Sequence, residues 1–215
     1  LINGNMRWWQ RGTSFTSVTN AAFSADRWKT IIANGSGTAP VFDIALDGIN
    51  YYMKITVTAS GVAGAGMQAG IYQKYEFYNS MKGKTVSARI RVNIPSGKTG
   101  LIFIADGVGA TGINITGTGA FQEVTVSRAV SASATILQVV YHIANGTTIN
   151  AASGDIHYID RIQLTEGATA LPFLPYDPIV DFERCLRYYW RGQTIGHGAP
   201  YHYGVTGYVL YSSGV

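Results

Sequence analysis

The chain has 215 residues, 47% hydrophobic and only 13% charged, so it can bury enough apolar surface to offset its ordering entropy, and disorder is excluded. That length suits one large core with a smaller appendage and leaves two full domains cramped. The 16 basic and 12 acidic side chains give a net charge of +4 with no block of like charge, which argues against a nucleic-acid partner.

Turn-forming Gly (26 residues) among Tyr (14 residues), Thr and Val is the composition of short strands. No charged-then-apolar leader opens the sequence, which begins at Leu1 and reads as a processed or trimmed piece. Trp8, Trp9 and Trp28 read as core or seam residues. Phe42, Ile44 and Leu46 then alternate with polar neighbours, as a half-buried strand requires. Tyr51, Met53, Ile55 and Val57 make the next inward stripe, turning Tyr52, Lys54, Thr56 and Thr58 outward. On the following strand, burial of Ile71, Tyr75 and Phe77 turns out Tyr72, Lys74, Glu76 and Tyr78. Val86, Ala88, Ile90 and Val92 share a face opposite Ser87, Arg89 and Arg91.

Residues 101–105 and 136–143 are apolar on both faces and are predicted to be central strands. They are far shorter than the ~20 residues that span a bilayer, so no membrane insertion is expected. The Gly- and Thr-rich stretch 107–119 reads as a long turn or irregular edge. It is no phosphate loop, because no helical segment follows it. Ile156, Tyr158, Ile162 and Leu164 form a last stripe, which places Asp160 on the same inward face. Asn34-Gly35, Asp47-Gly48, Asp106-Gly107 and Asn145-Gly146 supply tight turns between these strands. Many short strands without helical patterns make a two-sheet sandwich the natural architecture.

Pro172, Pro175 and Pro178 remove ladder donors, so residues 171–178 leave the sheet as an extended strap. Phe182, Cys185, Leu186 and Tyr189 then stand at i, i+3, i+4 and i+7, predicting a short amphipathic helix with Asp181 and Glu183 at its N-terminal end. Cys185, the single cysteine, excludes a disulfide framework and reads as a small buried hydrophobe. The Gly- and Tyr-rich residues 192–215 look like the start of a further β unit.

The opening residues Leu1-Ile2-Asn3-Gly4-Asn5-Met6-Arg7-Trp8-Trp9-Gln10-Arg11-Gly12-Thr13-Ser14-Phe15, followed by Ala25-Asp26-Arg27-Trp28, resemble the N-terminal signature of a family of bacteriophage tail-fibre and tail-associated proteins. Ile71-Tyr72-Gln73-Lys74, with Met81-Lys82-Gly83-Lys84-Thr85-Val86, is similar to that family's central strands. Tyr158-Ile159-Asp160-Arg161-Ile162-Gln163-Leu164-Thr165-Glu166-Gly167 is similar to its closing strand, and Cys185-Leu186-Arg187-Tyr188-Tyr189 to the helix after its strap. The family's sandwich resembles the jelly-roll carbohydrate-binding modules of secreted glycoside hydrolases. The resemblance implies a jelly-roll β-sandwich over residues 1–170, a strap and helix over 171–191, and an incomplete β segment over 192–215. It also implies an extracellular location on the virion, as part of a phage tail. Host cell-surface glycan and other virion tail proteins are the implied partners, with self-association as a homotrimer.

The residues carry no visible catalytic constellation: no nucleophile with a base, and no evident facing pair of carboxylates. His142, His157, His197 and His202 lack paired metal-ligand spacing and read as structural or exposed. Asp160 is the exception among the acids, because an inward carboxylate needs a cation or several donors. The similar carbohydrate modules often carry two acids here and use one for calcium. In this chain Arg161 stands at the second place and Arg7 in the region of another acidic ligand, so Asp160 is either a calcium ligand or a hydrogen-bonded or Arg-paired acid.

The outward set Tyr52, Tyr72 and Tyr78 with Lys54, Lys74 and Glu76 is predicted to be a ligand surface, because flat rings among polar groups suit sugars. A subunit seam is the equal alternative. The expected function is therefore non-catalytic adhesion to glycans. A binding module of a glycoside hydrolase, an architectural virion domain and a depolymerase are its rivals.

Overall fold

The computed structural model describes residues 1–48 and 51–188. Its strands are β1 (Ser14–Phe15), β2 (Lys29–Ala33), β3 (Val41–Asp47), β4 (Tyr52–Ala59), β5 (Gln68–Lys74), β6 (Thr85–Asn93), β7 (Thr99–Ala105), β8 (Ala110–Thr116), β9 (Phe121–Ala129), β10 (Gln138–Asn145) and β11 (Ile156–Glu166), followed by helix α1 (Pro178–Leu186). A six-stranded sheet in the order β1-β3-β4-β11-β6-β9 packs on a five-stranded sheet in the order β2-β5-β10-β7-β8. Every named strand pair is antiparallel, and the whole is a jelly-roll sandwich.

The alternating stripes build the core. Phe42 and Ile44, then Met53, Ile55 and Val57, then Val86, Ala88, Ile90 and Val92 are buried from the six-stranded side. They meet Ile71, Ile102, Ile104, Val139, Tyr141 and Ile143 from the other sheet, with Trp28 also fully buried. Each fully buried aliphatic side chain of this kind contributes roughly 1.5–3 kcal/mol relative to exposure. A polar bridge crosses this core, where the Tyr141 hydroxyl lies 2.8 Å from His157 Nδ1 on the opposite sheet. Burial pushes His157 down to about 4, so the ring is neutral at pH 7.

As expected, β7 and β10 are interior strands of their sheet. Three expectations need correction. Tyr51 lies in the turn before β4 with φ 56° and is exposed, so the inward stripe begins at Met53. Residues 107–119 contain a regular edge strand, β8, because all seven of its residues register against β7 despite their Gly and Thr content. Finally, β11 carries a bulge between Asp160 and Gln163, where Arg161 adopts φ 52°. One extra residue reverses the alternation. His157 and Ile159 point inward before the bulge and Ile162 after it, so Tyr158 and Asp160 face outward.

The strap and helix close one end. Asp177 Oδ1 accepts from the Ile179 and Val180 amides at 2.9 and 3.4 Å, capping a helix that opens on Pro178. Cys185 is buried as predicted, and burial pushes its thiol up. Phe182 packs on Trp8 at 4.6 Å between ring centroids, and buried Asp181 accepts from the Asn3 amide at 2.9 Å. The expected β unit at 192–215, with Tyr189, His197 and His202, lies outside the described residues.

Candidate functional site

Directly opposed residues in an antiparallel ladder point to the same side. On the outer side of the five-stranded sheet, one row therefore runs Phe23, Lys29, Tyr72, Val140, Phe103, Gly112. The next row runs Ile31, Gly70, His142, Leu101, Asn114. Val140 and His142 on the central strand have no exposed surface, whereas Tyr72, Phe103, Leu101 and Ile31 beside them are partly exposed. The long flanking side chains stand over the short central ones, so the face is a shallow trough with β10 as its floor. Neither Gly70, which is buried, nor the exposed Gly112 adds a side chain to it. At Gly70 none could be added, because a Cβ there would overlap the Tyr141 carbonyl oxygen.

The floor also holds a polar group. The His142 ring stands edge-on to Phe103, with centroids 5.0 Å apart. Its Nδ1 lies 3.1 Å from Asn145 Oδ1, while Nε2 is buried with no protein partner. Burial pushes the ring down to about 4, so it is neutral at pH 7. Asn145 Oδ1 only accepts, so the proton sits on Nδ1 and Nε2 is an acceptor.

The residues read as a ligand surface in the sequence divide among three places. Tyr72 and Lys74 lie on this trough face. Tyr52 and Lys54 lie on the outer face of the other sheet. Tyr78 sits in a 3-10 turn over residues Tyr78–Met81, packed against the core, with Lys82 Nζ 5.4 Å from its ring centroid. Glu76 follows the end of β5 and pairs with Arg27 at 3.0 Å and Arg187 at 3.6 Å, and Phe77, expected inward, is exposed. A single surface carrying Tyr52, Tyr72 and Tyr78 is thus not formed. The reason is topological: β4 and β5 are consecutive in sequence but belong to opposite sheets.

Around Tyr52 the outer face of the six-stranded sheet is a packed cluster. Its ring lies 4.8 Å from Phe121 and 6.4 Å from Tyr158. The Arg91 guanidinium stacks 4.5 Å over Phe121 and forks onto both Asp160 oxygens at 2.7 Å. Arg161 adds a contact at 3.5 Å. Asp160 is therefore buried and Arg-paired, although its burial comes from Arg91 on the outside and not from the core. Both its oxygens already hold a guanidinium, and among the described residues no three His, Cys, Asp or Glu side chains converge on a metal position, so calcium does not fit this donor set.

Six further acids are similarly engaged. Asp26, Glu76, Asp106, Glu123, Asp155 and Glu166 each pair with a cation. Buried Asp106 takes three backbone amides and the Arg128 fork, which hold its carboxyl far below the usual range against the opposing effect of burial. Burial raises Asp26 and Asp181, but Asp26 accepts from the Gln10 amide and Asp181 from the Asn3 amide, and both side chains are enclosed. Neither is placed to protonate a bound molecule.

Sequence reading missed Phe23, Lys29, Leu101, Phe103, Val140 and His142. Their signal was present: residues 101–105 and 136–143 are apolar on both faces, and the outward half of that pattern is the trough.

No protein-family model matches the sequence, and no curated protein is similar to it. Solved structures are similar in fold. A family 4 carbohydrate-binding module superposes with a TM-score of 0.49 at 15% identity, covering 77% of this chain and 98% of that one. The module TmCBM61, solved in complex with β-1,4-galactotriose, gives 0.43 at 11% identity over 71% of this chain and 99% of its own. The enzymatically active domain of tailspike protein 4 of bacteriophage CBA120 gives 0.43 at 14% identity, over 71% of this chain and 22% of that one. At such identities the likeness is one of fold alone.

Proposed function

We propose that the protein binds glycans without cleaving them, as an adhesive module of a phage tail fibre or a related receptor-binding virion protein. The observation that carries the reading is the trough on the five-stranded sheet. It offers the partly exposed rings of Tyr72 and Phe103 on either side of Val140, and these suit the apolar C–H face of a sugar. Gln138, Asn114 and Lys74 are in the same rows or the adjoining one, where hydroxyls would meet them. The virion setting is supported by the resemblance of residues 1–28, 71–86 and 158–189 to tail-fibre proteins. On a fibre, several copies would multiply weak glycan contacts, since tethering makes each later contact intramolecular.

The strap and helix support self-association in the same assembly. Leu174 and Ile179 are 73% and 69% exposed, with Leu171 and Val180 also exposed, although α1 buries Asp181. Light scattering of the full chain is expected to give a homotrimer, and a monomer would count against this part of the reading.

The decisive experiment incubates the purified chain with host surface glycans and follows both retention and new reducing ends. Retention without cleavage is expected, with Tyr72→Ala lowering affinity about tenfold, as loss of one sugar–ring stack implies. Cleavage abolished by Glu76→Gln would defeat the reading. Retention indifferent to Tyr72→Ala would move the site off this face, and no retention across a broad panel would favour an architectural role.

A further inference from the structure

We infer that the trough takes an anionic glycan, with the negative group of a sugar unit held between Lys29 and Lys74 beside the Tyr72 ring. The inference rests on the glycan reading of this face and names its ligand class.

The five strands of this sheet contain no Asp or Glu at any position, inward or outward, and their only cations are Lys29 and Lys74. Both flank Tyr72. Lys29 is directly opposite it on β2, roughly 4.8 Å away at the backbone, and Lys74 is two residues along β5, roughly 6.8 Å away on the same side. Neither lysine has an acid partner among the described residues. The Lys29 ammonium rests 4.4 Å from the Phe23 ring centroid, so the row presents ring, ammonium, ring.

The nearest acids are already neutralised. Glu76, just past β5, is held by Arg27 and Arg187. Asp106, in the turn after β7, is buried and held by Arg128. Asp26, near Phe23, is enclosed and pairs with Arg11. A ligand anion therefore meets two uncompensated ammonium groups and no exposed carboxylate on this sheet. Lysine acts here as a point charge without the fork geometry of arginine, which suits a single carboxylate or phosphodiester better than a doubly charged phosphate monoester. The floor is apolar or neutral, so a second anion two strands further along would find no partner.

The test compares oligogalacturonate with its fully methyl-esterified form, in which the same rings carry no charge, by calorimetry on the full chain. A glycerol-phosphate polymer serves as a third probe and separates a carboxylated from a phosphodiester-bearing ligand. The acidic form of at least one probe should bind about tenfold or more tighter than the neutral ester, an advantage that shrinks as salt is raised. In the Lys29→Met/Lys74→Met double variant the ratio of acid to ester affinity should fall toward one. Lys84→Met, which touches a paired lysine outside this sheet, should leave the ratio unchanged. Wild-type affinity for the neutral ester equal to that for both acidic probes overturns the inference but leaves the glycan reading standing. Binding of neither galacturonan form nor the phosphate polymer overturns the inference, while the host-glycan panel above decides the wider reading.

Discussion

The two sheets handle charge in opposite ways. The six-stranded sheet carries five acids, Asp43, Asp47, Glu123, Asp160 and Glu166, and five cations, Lys54, Arg89, Arg91, Arg128 and Arg161. Its outer face is held mainly by pairs of its own: Arg91 forks onto Asp160, and Arg89 pairs with Glu123 at 2.6 Å and donates to the Ala170 carbonyl where the chain leaves the sheet, although Lys54 has no acid partner among the described residues. The five-stranded sheet has two cations and no acid; both lysines lack an acid partner among the described residues, and His142 Nε2 is buried without a hydrogen-bond partner. Identical pleat alternation has produced one surface whose arginines and acids are largely spent on each other and one whose two lysines meet no acid. Ligands compete poorly for the first, because they must replace geometry that is already good.

The sharpest way to break that contrast is Asp160→Ala. It strands Arg91 beneath Tyr52 and Phe121, and should cost about 3–4 kcal/mol, near the range for removing one partner of a buried pair. Urea unfolding should show the shift in midpoint without a change in slope. The matched change on the other face, Val140→Ala, removes apolar contact only and should cost about 2 kcal/mol. A cost below about 1 kcal/mol for Asp160→Ala would mean that the six-stranded face is not held by its ion pairs.

How far the sequence foretold this division depends on what local patterns encode. The sandwich, its inward stripes on β3, β4 and β6, and the strap with its helix follow from period-two alternation and proline placement, which are local. The pairing of Asp160 also follows, because an acid in an apolar strand needs a partner whichever way it faces. The platform failed because sheet membership is not local: outward parity puts Tyr52 and Tyr72 each on an outer face, but it says nothing of which one. The bulge at Arg161 escaped for a different reason, since an arginine in a strand carries no sign that it will adopt a positive φ.

A second prediction concerns acid. Burial lowers both His142 and His157 to about 4 in the folded chain, against about 6.5 when unfolded. Between those values the unfolded chain binds more protons, so stability falls as pH drops from about 6.5 to 4 and is fully present above that window. The loss should be on the order of 3 kcal/mol for each ring. His142→Phe should remove about half of the slope, leaving the share of His157 and its Tyr141 bridge. A wild-type midpoint flat from pH 7 to 4 would mean that these rings are not held neutral, and that the trough floor acquires charge.

The smallest expected effect comes from Arg161→Gly, and it separates the bulge from the side chain that occupies it. Glycine adopts φ near 50° without the strain of roughly 1 kcal/mol that a Cβ meets there, which favours the variant. Against this stand the greater freedom of glycine in the unfolded chain, about 0.5–1 kcal/mol, and loss of the 3.5 Å contact with Asp160. That contact is half-exposed, and solvent screening limits it to about 0.5 kcal/mol. These contributions nearly cancel, so thermal unfolding should move by less than about 1 kcal/mol in either direction, with the Arg91 fork intact. Deleting residue 161 is the control. Without the extra residue the strand must either turn Tyr158 and Asp160 toward the core or expose Ile162 and Leu164, and the chain should fail to fold cooperatively. If Arg161→Gly instead cost more than about 2 kcal/mol, the guanidinium would be the element that fixes this face, and the backbone bulge would only follow it.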